Sequence, residues 1–402
     1  MLPLIETIPS IIVTATVTLG FLWMLYPAWA VLVAERLEWE VEQLSSPDMS
    51  PSSPDTHRPE PPLLSLVIPA YNEQDRIPIM IRESFDYLTS PRGKHLLRKL
   101  EVCVKMKTTS SSYKYELSND ITLKEQHQSE GPEPVVEWLI VNDGSNDSTC
   151  DLVRETYNKL VAINNSSDKS IADGANASCA TSAIGWKWKI VSLKRNAGKG
   201  AAVKTGMNLA EGTFHLMVDA DGATDFGNGL ENLTRELQET IQGLATSRKE
   251  NGDNSRSGRD PMIAVFGSRA HLEKESTAQR SFVRTVLMKA FHFFVTMFVS
   301  SKVHDTQCGF KLFTNSASCS VFETLHLRRW AFDTEIVLLC DKQGIDMLEI
   351  AVPWKEVDGS KLSTSKLALA IVSISMLRDM ICVWACYTLG IWKVKNGLAG
   401  QK

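Results

Sequence analysis

Apolar runs of five or six residues recur through the middle of the chain, and most stop at a cluster of Asn, Asp, Gly or Pro. Continuous apolar runs of this length are typical of strands that are buried on both faces of a sheet. Because stretches of helical length separate several of them, the pattern predicts an α/β fold with a mostly parallel sheet. The predicted strands are residues 63–68, 137–141, 188–193, 213–218 and 262–266.

Helices are predicted after three of these strands. The first begins in the stretch Pro69-Ala-Tyr-Asn-Glu73 and ends near Leu88, the second opens at Asn196-Ala-Gly-Lys-Gly200 and reaches Ala210, and the third covers 228–244. Three other stretches are rich in Ser, Asn or Thr and poor in apolar residues, so we interpret them as loop insertions within a domain at 63–360. These insertions are residues 105–134, 163–184 and 247–260.

The N-terminal stretch 7–34 contains no charged side chain and exceeds the roughly 20 apolar residues that span a bilayer. We predict a retained membrane anchor at residues 1–35, followed by a Ser- and Pro-rich linker at 36–62. A cleaved signal peptide is the alternative, because Ala28-Trp-Ala30 resembles a cleavage site. The anchor is favoured, since the stretch lacks a basic n-region and its apolar run is too long for a signal peptide.

Two apolar tracts lie nearer the C-terminus. Residues 282–298 are rich in Phe, Val and Met with basic residues beside them, which suits a helix at the bilayer surface or, alternatively, a buried core helix. Residues 361–402 are predicted as a membrane-associated helical segment. Its apolar tract is interrupted by Arg378-Asp379, and charges near the middle of a span are costly. An interfacial or re-entrant helix is therefore favoured over a span.

The composition limits the class of function. The chain has 402 residues, of which 43% are hydrophobic and 22% charged, as in an ordinary folded protein. Its net charge of -4 argues against nucleic-acid binding, which normally needs a basic surface. The eight cysteines form no C-x-x-C pair, so neither a zinc site nor a disulfide framework is indicated, and a reducing compartment is favoured.

The strongest candidate chemistry is the pair Asp219 and Asp221, which follows the fourth predicted strand. Residues i and i+2 of an extended chain point to the same side, so both carboxylates can close on one hard cation. Mg²⁺ prefers one or two carboxylates together with substrate phosphates, and the pair therefore predicts a diphosphate held through a metal. A simple turn is the alternative, because Asp and Gly are ordinary loop residues.

Other polar clusters also follow predicted strands, where ligands bind in parallel sheets. Tyr71 and Glu73 are candidates to hold a base and a ribose, although Asn72 capping a helix explains the same residues. Asp143 either accepts hydrogen bonds from a nucleoside or forms an Asx turn. The glycines around Lys199 resemble an anion cradle at a helix N-terminus, or they permit close packing.

These motifs, in this order and spacing, resemble family 2 glycosyltransferases of the GT-A fold, with a Rossmann-like sheet. A narrower resemblance, to the dolichyl-phosphate β-glucosyltransferases, is carried by Asp305-Thr-Gln-Cys-Gly-Phe-Lys311, by Arg329-Trp-Ala-Phe-Asp-Thr-Glu335 and by the N-terminal anchor. The motifs of the broader resemblance are Pro-Ala-Tyr-Asn-Glu, Asn-Asp-Gly-Ser-Asn-Asp, Asn-Ala-Gly-Lys-Gly, Asp-Ala-Asp-Gly-Ala-Thr and Gly-Ser-Arg.

The resemblance implies a metal-dependent, inverting enzyme that uses UDP-glucose and dolichyl phosphate at the endoplasmic reticulum membrane, for lipid-linked oligosaccharide assembly and N-glycosylation. It implies that Asp219 and Asp221 hold Mg²⁺ or Mn²⁺, with Arg269 assisting the leaving group. Lys199, in the loop that resembles an anion cradle, is a further candidate to bind the donor. The residues implied around the uridine are Pro69, Tyr71, Glu73 and Asp143. Alternatives are the same fold using GDP-mannose, a processive polysaccharide synthase and an inactive nucleotide-sugar-binding subunit.

The acceptor is expected between the C-terminal apolar tracts. A polyprenyl phosphate is largely dianionic at neutral pH and needs no strong base, and Lys311 and Arg329 are the predicted contacts to phosphate. A hydroxyl acceptor needs a carboxylate base instead. The candidate bases are Asp305, Asp333 and Glu335, although Asp333 as a helix N-cap is an alternative.

Four of the glycosylation sequons bear on the orientation of the domain. The second predicted strand leads directly to Asn146, inside the loop assigned to nucleotide binding, where a glycan would block the site. We therefore predict that the domain faces the cytosol. The other sequons begin at Asn165, Asn176 and Asn232.

Overall fold

The computed structural model describes residues 18–20, 22–31, 37–44, 61–108, 134–172, 185–250, 260–269, 294–357 and 366–394. Eight strands in these ranges form one sheet with the order β1-β4-β3-β2-β5-β7-β6-β8. The strands are β1 (Trp39–Leu44), β2 (Leu64–Ala70), β3 (Val135–Asn142), β4 (Gly185–Leu193), β5 (Phe214–Val218), β6 (Ile263–Ser268), β7 (Phe310–Thr314) and β8 (Asp346–Ala351).

Four of the seven strand pairs are parallel, and they include the three central pairs β4/β3, β3/β2 and β2/β5. The prediction of an α/β fold with a mostly parallel sheet is confirmed, and all five predicted strands belong to the sheet as β2 to β6. Strand β7 lies antiparallel between β5 and β6, and β1 adds an antiparallel edge beside β4. Every residue of β2 and β5 is buried, which explains their continuous apolar sequences.

Helices cover both faces of the sheet. One face packs against α1, α2, α3 and α5, and the opposite face packs against α4, α6, α7 and α8. Each face therefore has its own apolar core, and the polar clusters lie at the edge where the strands end. The helices are α1 (Ile77–Thr89), α2 (Pro91–Thr108), α3 (Thr149–Ala172), α4 (Lys199–Leu209), α5 (Phe226–Glu250), α6 (Asn315–Thr324), α7 (Phe332–Gln343) and α8 (Lys366–Thr388).

Several predicted boundaries were wrong. Helix α1 starts at Ile77, because Asn72 adopts a left-handed φ of 53° and the residue at the N-cap is Arg76. Helices α2, α3 and α5 continue into the predicted insertions, so 105–108, 163–172 and 247–250 are helical. The rest of each insertion lies outside the described residues, except for Pro134, which directly precedes β3, and Asp260, which lies three residues before β6.

The predicted linker contains strand β1, and its residues 45–60 lie outside the described part of the chain. Of the predicted N-terminal anchor, the structure describes a short apolar helix at Thr18–Val31 and not the residues before it. Of the tract 282–298, it describes only a short helix at 294–298.

Helix α8 is the one helix, among the described residues, with the length and apolar character of a membrane span. The window Ile371–Thr388 has a mean hydropathy of 1.3, and only 28% of it is buried against the rest of the chain. Arg378 pairs with its neighbour Asp379 at 2.6 Å and lies over the rings of Trp23 and Tyr26. The charged pair in α8 is thereby neutralised and packed against the N-terminal helix.

Candidate active site

The two aspartates predicted as metal ligands lie at the carboxyl end of β5 and are both half-exposed. The backbone N–H of Asp219 donates to the Gly309 carbonyl at 3.1 Å, which fixes the strand end against β7. Asp221 closes the turn that follows, because its Oδ1 accepts the N–H of Ala223 at 3.0 Å. Both carboxylates therefore stand at the open edge of the sheet on a braced backbone.

Gly309 is a part of this site that the sequence did not single out. A Cβ at this position would lie 2.0 Å from Oδ2 of Asp219, so any other residue would displace the carboxylate. The close approach of backbone to carboxylate explains why glycine occupies the middle of the 305–311 motif. Its signal in the sequence was a glycine directly before a strand.

Lys199 neutralises Asp219 in this structure. Its Nζ lies 2.7 Å from Oδ1 and 2.8 Å from Oδ2 of that carboxylate. Burial alone would lower the pKa of the ammonium, but the nearby carboxylates of Asp219, Asp333 and Asp221 outweigh it and raise the pKa. Lys199 stays a predicted donor-binding residue, and in this structure its ammonium is paired with Asp219.

The donor set fits a hard divalent cation that takes further ligands from its substrate. In the described part of the chain no group of three or more His, Cys, Asp or Glu side chains forms a metal site. Two half-exposed carboxylates that already attract a cation leave coordination positions for water and phosphate oxygens, as Mg²⁺ requires. Asp219 and Asp221 stay predicted metal ligands on this argument.

Asp143 shapes the loop before α4. It is 3% exposed, and its two carboxylate oxygens accept the backbone N–H groups of Ala197 at 2.7 Å and Gly198 at 2.9 Å. Burial raises the pKa of this carboxyl, although both hydrogen bonds oppose the shift. Gly198 has φ 101°, which a residue with a side chain rarely adopts. Asp143 thus holds the glycine loop that presents Lys199.

The loops after β2 and β3 are joined by hydrogen bonds. The N–H of Asn72 donates to the Ser145 hydroxyl at 2.9 Å, and the N–H of Asn146 donates to Oδ1 of Asn72 at 2.8 Å. Glu73 pairs with Arg76 at 2.6 Å, while Pro69 is buried in β2. These contacts bring the side chains predicted around the uridine, including half-buried Tyr71, to one edge of the sheet.

Arg269 is held by Asp305 at the carboxyl end of β6. Its Nε and Nη2 donate to the two carboxylate oxygens of Asp305, both at 2.8 Å, and its cation lies 5.5 Å from the Trp354 ring centre. Burial alone would lower the pKa of the guanidinium, but the partner carboxylate raises it. Burial alone would raise the pKa of Asp305, but the guanidinium of Arg269 lowers it, and the net effect is a lowered pKa. The pair is ionised, with a third of the Arg269 side chain exposed.

Lys311 and Asp333 form a buried ion pair beneath the site. The ammonium of Lys311 is fully buried and also donates to the Cys308 carbonyl at 2.7 Å, so it presents no surface to a phosphate in this conformation. Burial raises the pKa of Asp333, although Lys311 and Lys199 oppose the shift. The alternative of Asp333 as an N-cap was wrong, since Ala331 precedes α7 and Asp333 lies in its first turn.

Glu335 is fully buried in α7, and Arg329 is exposed in the loop that precedes this helix. The carboxylate of Glu335 accepts the N–H groups of His326 at 2.9 Å and Leu327 at 2.7 Å. Beside Arg329, the ring of Trp330 is 41% exposed and its centre lies 6.0 Å from the Lys199 ammonium. The sequence motif 329–335 thus supplies two exposed side chains and two buried acids.

The sheet order, with an acidic pair at the end of β5 and helices on both faces, defines a glycosyltransferase of the GT-A fold. In agreement, residues 122–306 match the family model described as Glycosyl transferase family 2. A dolichyl-phosphate beta-glucosyltransferase of Dictyostelium discoideum is 34% identical over 83% of this chain and 77% of its own length. The chain belongs to the dolichyl-phosphate β-glucosyltransferase family.

Other relatives span the same part of the chain. The dolichyl-phosphate beta-glucosyltransferase of Homo sapiens is 32% identical over 83% of this chain and 78% of its own length. Among solved structures, glucosyl-3-phosphoglycerate synthase from Mycobacterium tuberculosis in complex with UDP has 13% identity and a TM-score of 0.39, covering 81% of this chain and 80% of that one. The family assignment rests on the curated relatives.

Proposed function

We propose that the protein transfers glucose from UDP-glucose to dolichyl phosphate with inversion, giving dolichyl β-D-glucosyl phosphate. The observation that supports this most directly is the acidic pair of β5 facing a lysine cation, in a chain whose relatives are named for this reaction. A nucleoside diphosphate is the leaving group that such a site suits, because its charge grows as the glycosidic bond breaks.

The donor would lie along the carboxyl edge of the sheet. Tyr71 and Glu73 would contact the uridine, and Asp143 would hold the glycine loop beside it. A divalent cation on Asp219 and Asp221 would act as a Lewis acid on the diphosphate. Of the chain's own residues, Lys199 supplies a positive charge at this point, and it reaches a bound diphosphate by exchanging its partner.

The acceptor step needs no base from the protein. An oxygen of the phosphate dianion attacks the anomeric carbon as the bond to UDP breaks, so orientation and charge neutralisation supply the catalysis. The carboxylates considered as bases are already engaged: Asp305 by Arg269, Asp333 by Lys311, and Glu335 by two backbone N–H groups. This occupation favours a phosphate over a hydroxyl acceptor.

The lipid side of the reaction is assigned to α8 and the N-terminal helix. Ile371 and Ile374 of α8 and Leu22 and Trp29 of the N-terminal helix are all more than half exposed. Apolar side chains left exposed on two packed helices suit the lipid environment of the dolichyl chain. The protein is assigned to the endoplasmic reticulum membrane with its domain toward the cytosol, since Asn146 lies in the loop assigned to the donor, where a glycan would block the site.

Incubation of purified protein with labelled UDP-glucose and dolichyl phosphate, with and without EDTA, tests the proposal. We expect a labelled lipid phosphate with a β linkage, and its loss on chelation. Competition by UDP but not by GDP separates this donor from GDP-mannose. If neither nucleotide sugar is consumed while UDP still binds, the protein is an inactive nucleotide-sugar-binding subunit and the proposal is wrong.

A further inference from the structure

A loop at 326–331 lies over the N-terminus of α4, beside the acidic pair of β5. The N–H of Ala201 in α4 donates to the Arg328 carbonyl at 3.0 Å. A Cβ on Gly198 would lie 2.5 Å from the same carbonyl, and a Cβ on Gly200 would lie 2.6 Å from the carbonyl of Leu327. The backbones of the loop and of the α4 N-terminus are therefore in direct contact, and the loop cannot shift without changing the surroundings of Lys199.

Glu335 holds this loop from beneath. Its buried carboxylate accepts the N–H groups of His326 and Leu327, the first two residues of the loop. Hydrogen bonds to a buried carboxylate are stronger than those between neutral groups and leave a large desolvation penalty when broken. The position of the loop thus depends on the position of this one side chain.

Helix α8 supplies the third donor to Glu335. The hydroxyl of Tyr387 donates to Oε1 at 2.8 Å. After the end of α8, the ring of Trp392 stacks on the ring of His326 with a centroid separation of 4.1 Å and an interplanar angle of 4°. The C-terminal end of α8 is therefore joined to Glu335 by one hydrogen bond. It is joined to His326 of the loop by a second contact of the same hydroxyl, at 2.9 Å from Nδ1, and by the stacked ring pair.

The same helix is the one that a bilayer would contact. Among the described residues α8 alone has the length and hydropathy of a span, and its exposed side chains include Ile371, Ile374 and Trp384. A change in the position of α8 in the lipid moves Tyr387, whose hydroxyl is hydrogen-bonded to Glu335. The contacts form a continuous path from the lipid-facing helix to the loop that borders Lys199.

We infer that Tyr387 and Glu335 are positioning residues that couple the seating of α8 in the membrane to the donor site, through the loop at 326–331. The inference rests on the proposed function for the identity of the donor, but the coupling itself is a property of the chain. It gives Glu335 a role other than that of a base. It also makes assembly of the donor site depend on the lipid that carries the acceptor.

The test compares Tyr387→Phe with Trp384→Phe in the full chain, each in phosphatidylcholine vesicles containing dolichyl phosphate. The first variant removes only the hydroxyl, which donates to Glu335 and also lies 2.9 Å from Nδ1 of His326. The second alters an α8 ring that packs on Phe298. We expect amide hydrogen exchange of 326–331 to rise about tenfold in Tyr387→Phe alone. We expect its KM for UDP-glucose to rise about fivefold with little change in kcat.

Glu335→Gln provides a second measurement. If Glu335 were a base, this variant would lose kcat and leave exchange of the loop unchanged, which would overturn the inference. Unchanged exchange and unchanged KM in Tyr387→Phe would overturn it as well. If the wild-type protein consumes no UDP-glucose, the proposed function fails, while the exchange comparison between the two α8 variants still decides the coupling.

Discussion

Charged side chains gather toward both ends of the central sheet, and the two groups are arranged in opposite ways. Toward the amino ends, Glu137 is fully buried and accepts hydrogen bonds from the Ser65 hydroxyl, from Lys189 at 2.8 Å and from the N–H of Glu211 at 2.9 Å. At the carboxyl ends, Asp219 and Lys199 keep 28% and 21% of their side chains exposed.

The difference separates structural charge from functional charge. The carboxylate of Glu137 has three protein donors and no contact with solvent. A ligand has no access to this carboxylate and would have to break a satisfied hydrogen bond to bind it. The carboxylate of Asp219 pairs with a lysine on a long, partly exposed side chain and faces an open edge, so we expect an incoming cation to exchange with Lys199 at low cost. Exposure and a partner that we expect to be replaceable, rather than charge alone, distinguish the candidate site from the structural cluster around Glu137.

Replacing an acid at the carboxyl edge should have the largest effect. We expect Asp221→Asn to reduce transfer from UDP-glucose about a thousandfold or more, because it removes a ligand to the ion that stabilises the departing diphosphate. Its thermal unfolding should match wild type. Asp225→Asn is the matched control, since that carboxylate accepts the N–H of Asn228 in the first turn of α5. Equal activity of the two variants would remove Asp221 from the site.

A change at the opposite end should affect stability instead. We expect Lys189→Met to lower the free energy of unfolding by about 3 kcal/mol, since it leaves the buried charge of Glu137 without its cation. The kcat of the folded fraction should not change. Lys187→Met is the control, because Lys187 lies on the same strand and makes only a half-exposed contact to Glu211 at 3.5 Å. Urea unfolding followed by circular dichroism measures both, and equal losses would contradict the assignment.

The regions that the sequence predicted well are those in which local pattern and environment agree. Strand β2 is buried on both faces, and an unbroken apolar run predicts such a strand. The acids at the end of β5 were singled out because two carboxylates at i and i+2 of a strand end indicate, by their spacing, a shared cation, and the structure has both of them at that strand end. Family resemblance then supplied the donor and acceptor.

The regions that the sequence missed depend on partners distant in the chain. Strand β7 carries the buried Lys311, whose charge interrupts an apolar run of five residues and is compensated by Asp333 in α7. Helix α7 is buried on almost all sides and therefore has no amphipathic period. Strand β1 is an exposed edge that alternates with Glu, as edge strands do to avoid further pairing.

A second buried titratable group near the amino ends of the strands is His215. It makes the stability of this region depend on pH. Its ring contacts the Ser318 hydroxyl and the Gly212 carbonyl, and burial lowers its pKa to about 4. The unfolded chain binds this proton near pH 6.5 and the folded chain does not. The stability is therefore complete above about pH 6.5, and about 2 kcal/mol is lost between pH 6.5 and pH 5.

The free energy of unfolding of His215→Gln should fall less than that of wild type between pH 6.5 and pH 5, even if the variant is less stable at neutral pH. His304 is exposed, so His304→Gln should keep the wild-type slope. Unfolding free energies at a series of pH values measure the difference. A wild-type slope in His215→Gln would show that other groups cause the acid sensitivity.

The smallest expected effect is that of Lys199→Gln, which tests whether Lys199 is a replaceable partner of Asp219. Removing its charge leaves Asp219 free for a divalent ion, so we expect Lys199→Gln to bind Mn²⁺ about fivefold more tightly than wild type in the absence of nucleotide. Free Mn²⁺ measured by electron paramagnetic resonance gives this affinity without any turnover. Lys199→Arg keeps the charge and should bind Mn²⁺ as wild type does.

The same variant should respond to UDP in the opposite direction. In wild type the displaced ammonium is available to the diphosphate, so UDP should bind the Mn²⁺-loaded wild type about fivefold more tightly than it binds Lys199→Gln. If Lys199 served only to hold the loop before α4, Lys199→Gln would not combine a higher affinity for Mn²⁺ with a lower affinity for UDP. Equal Mn²⁺ affinity in Lys199→Gln and wild type would mean that the ion pair does not occupy the metal position. Asp219 would then not be the exchangeable carboxylate that distinguishes the carboxyl edge from the closed cluster around Glu137.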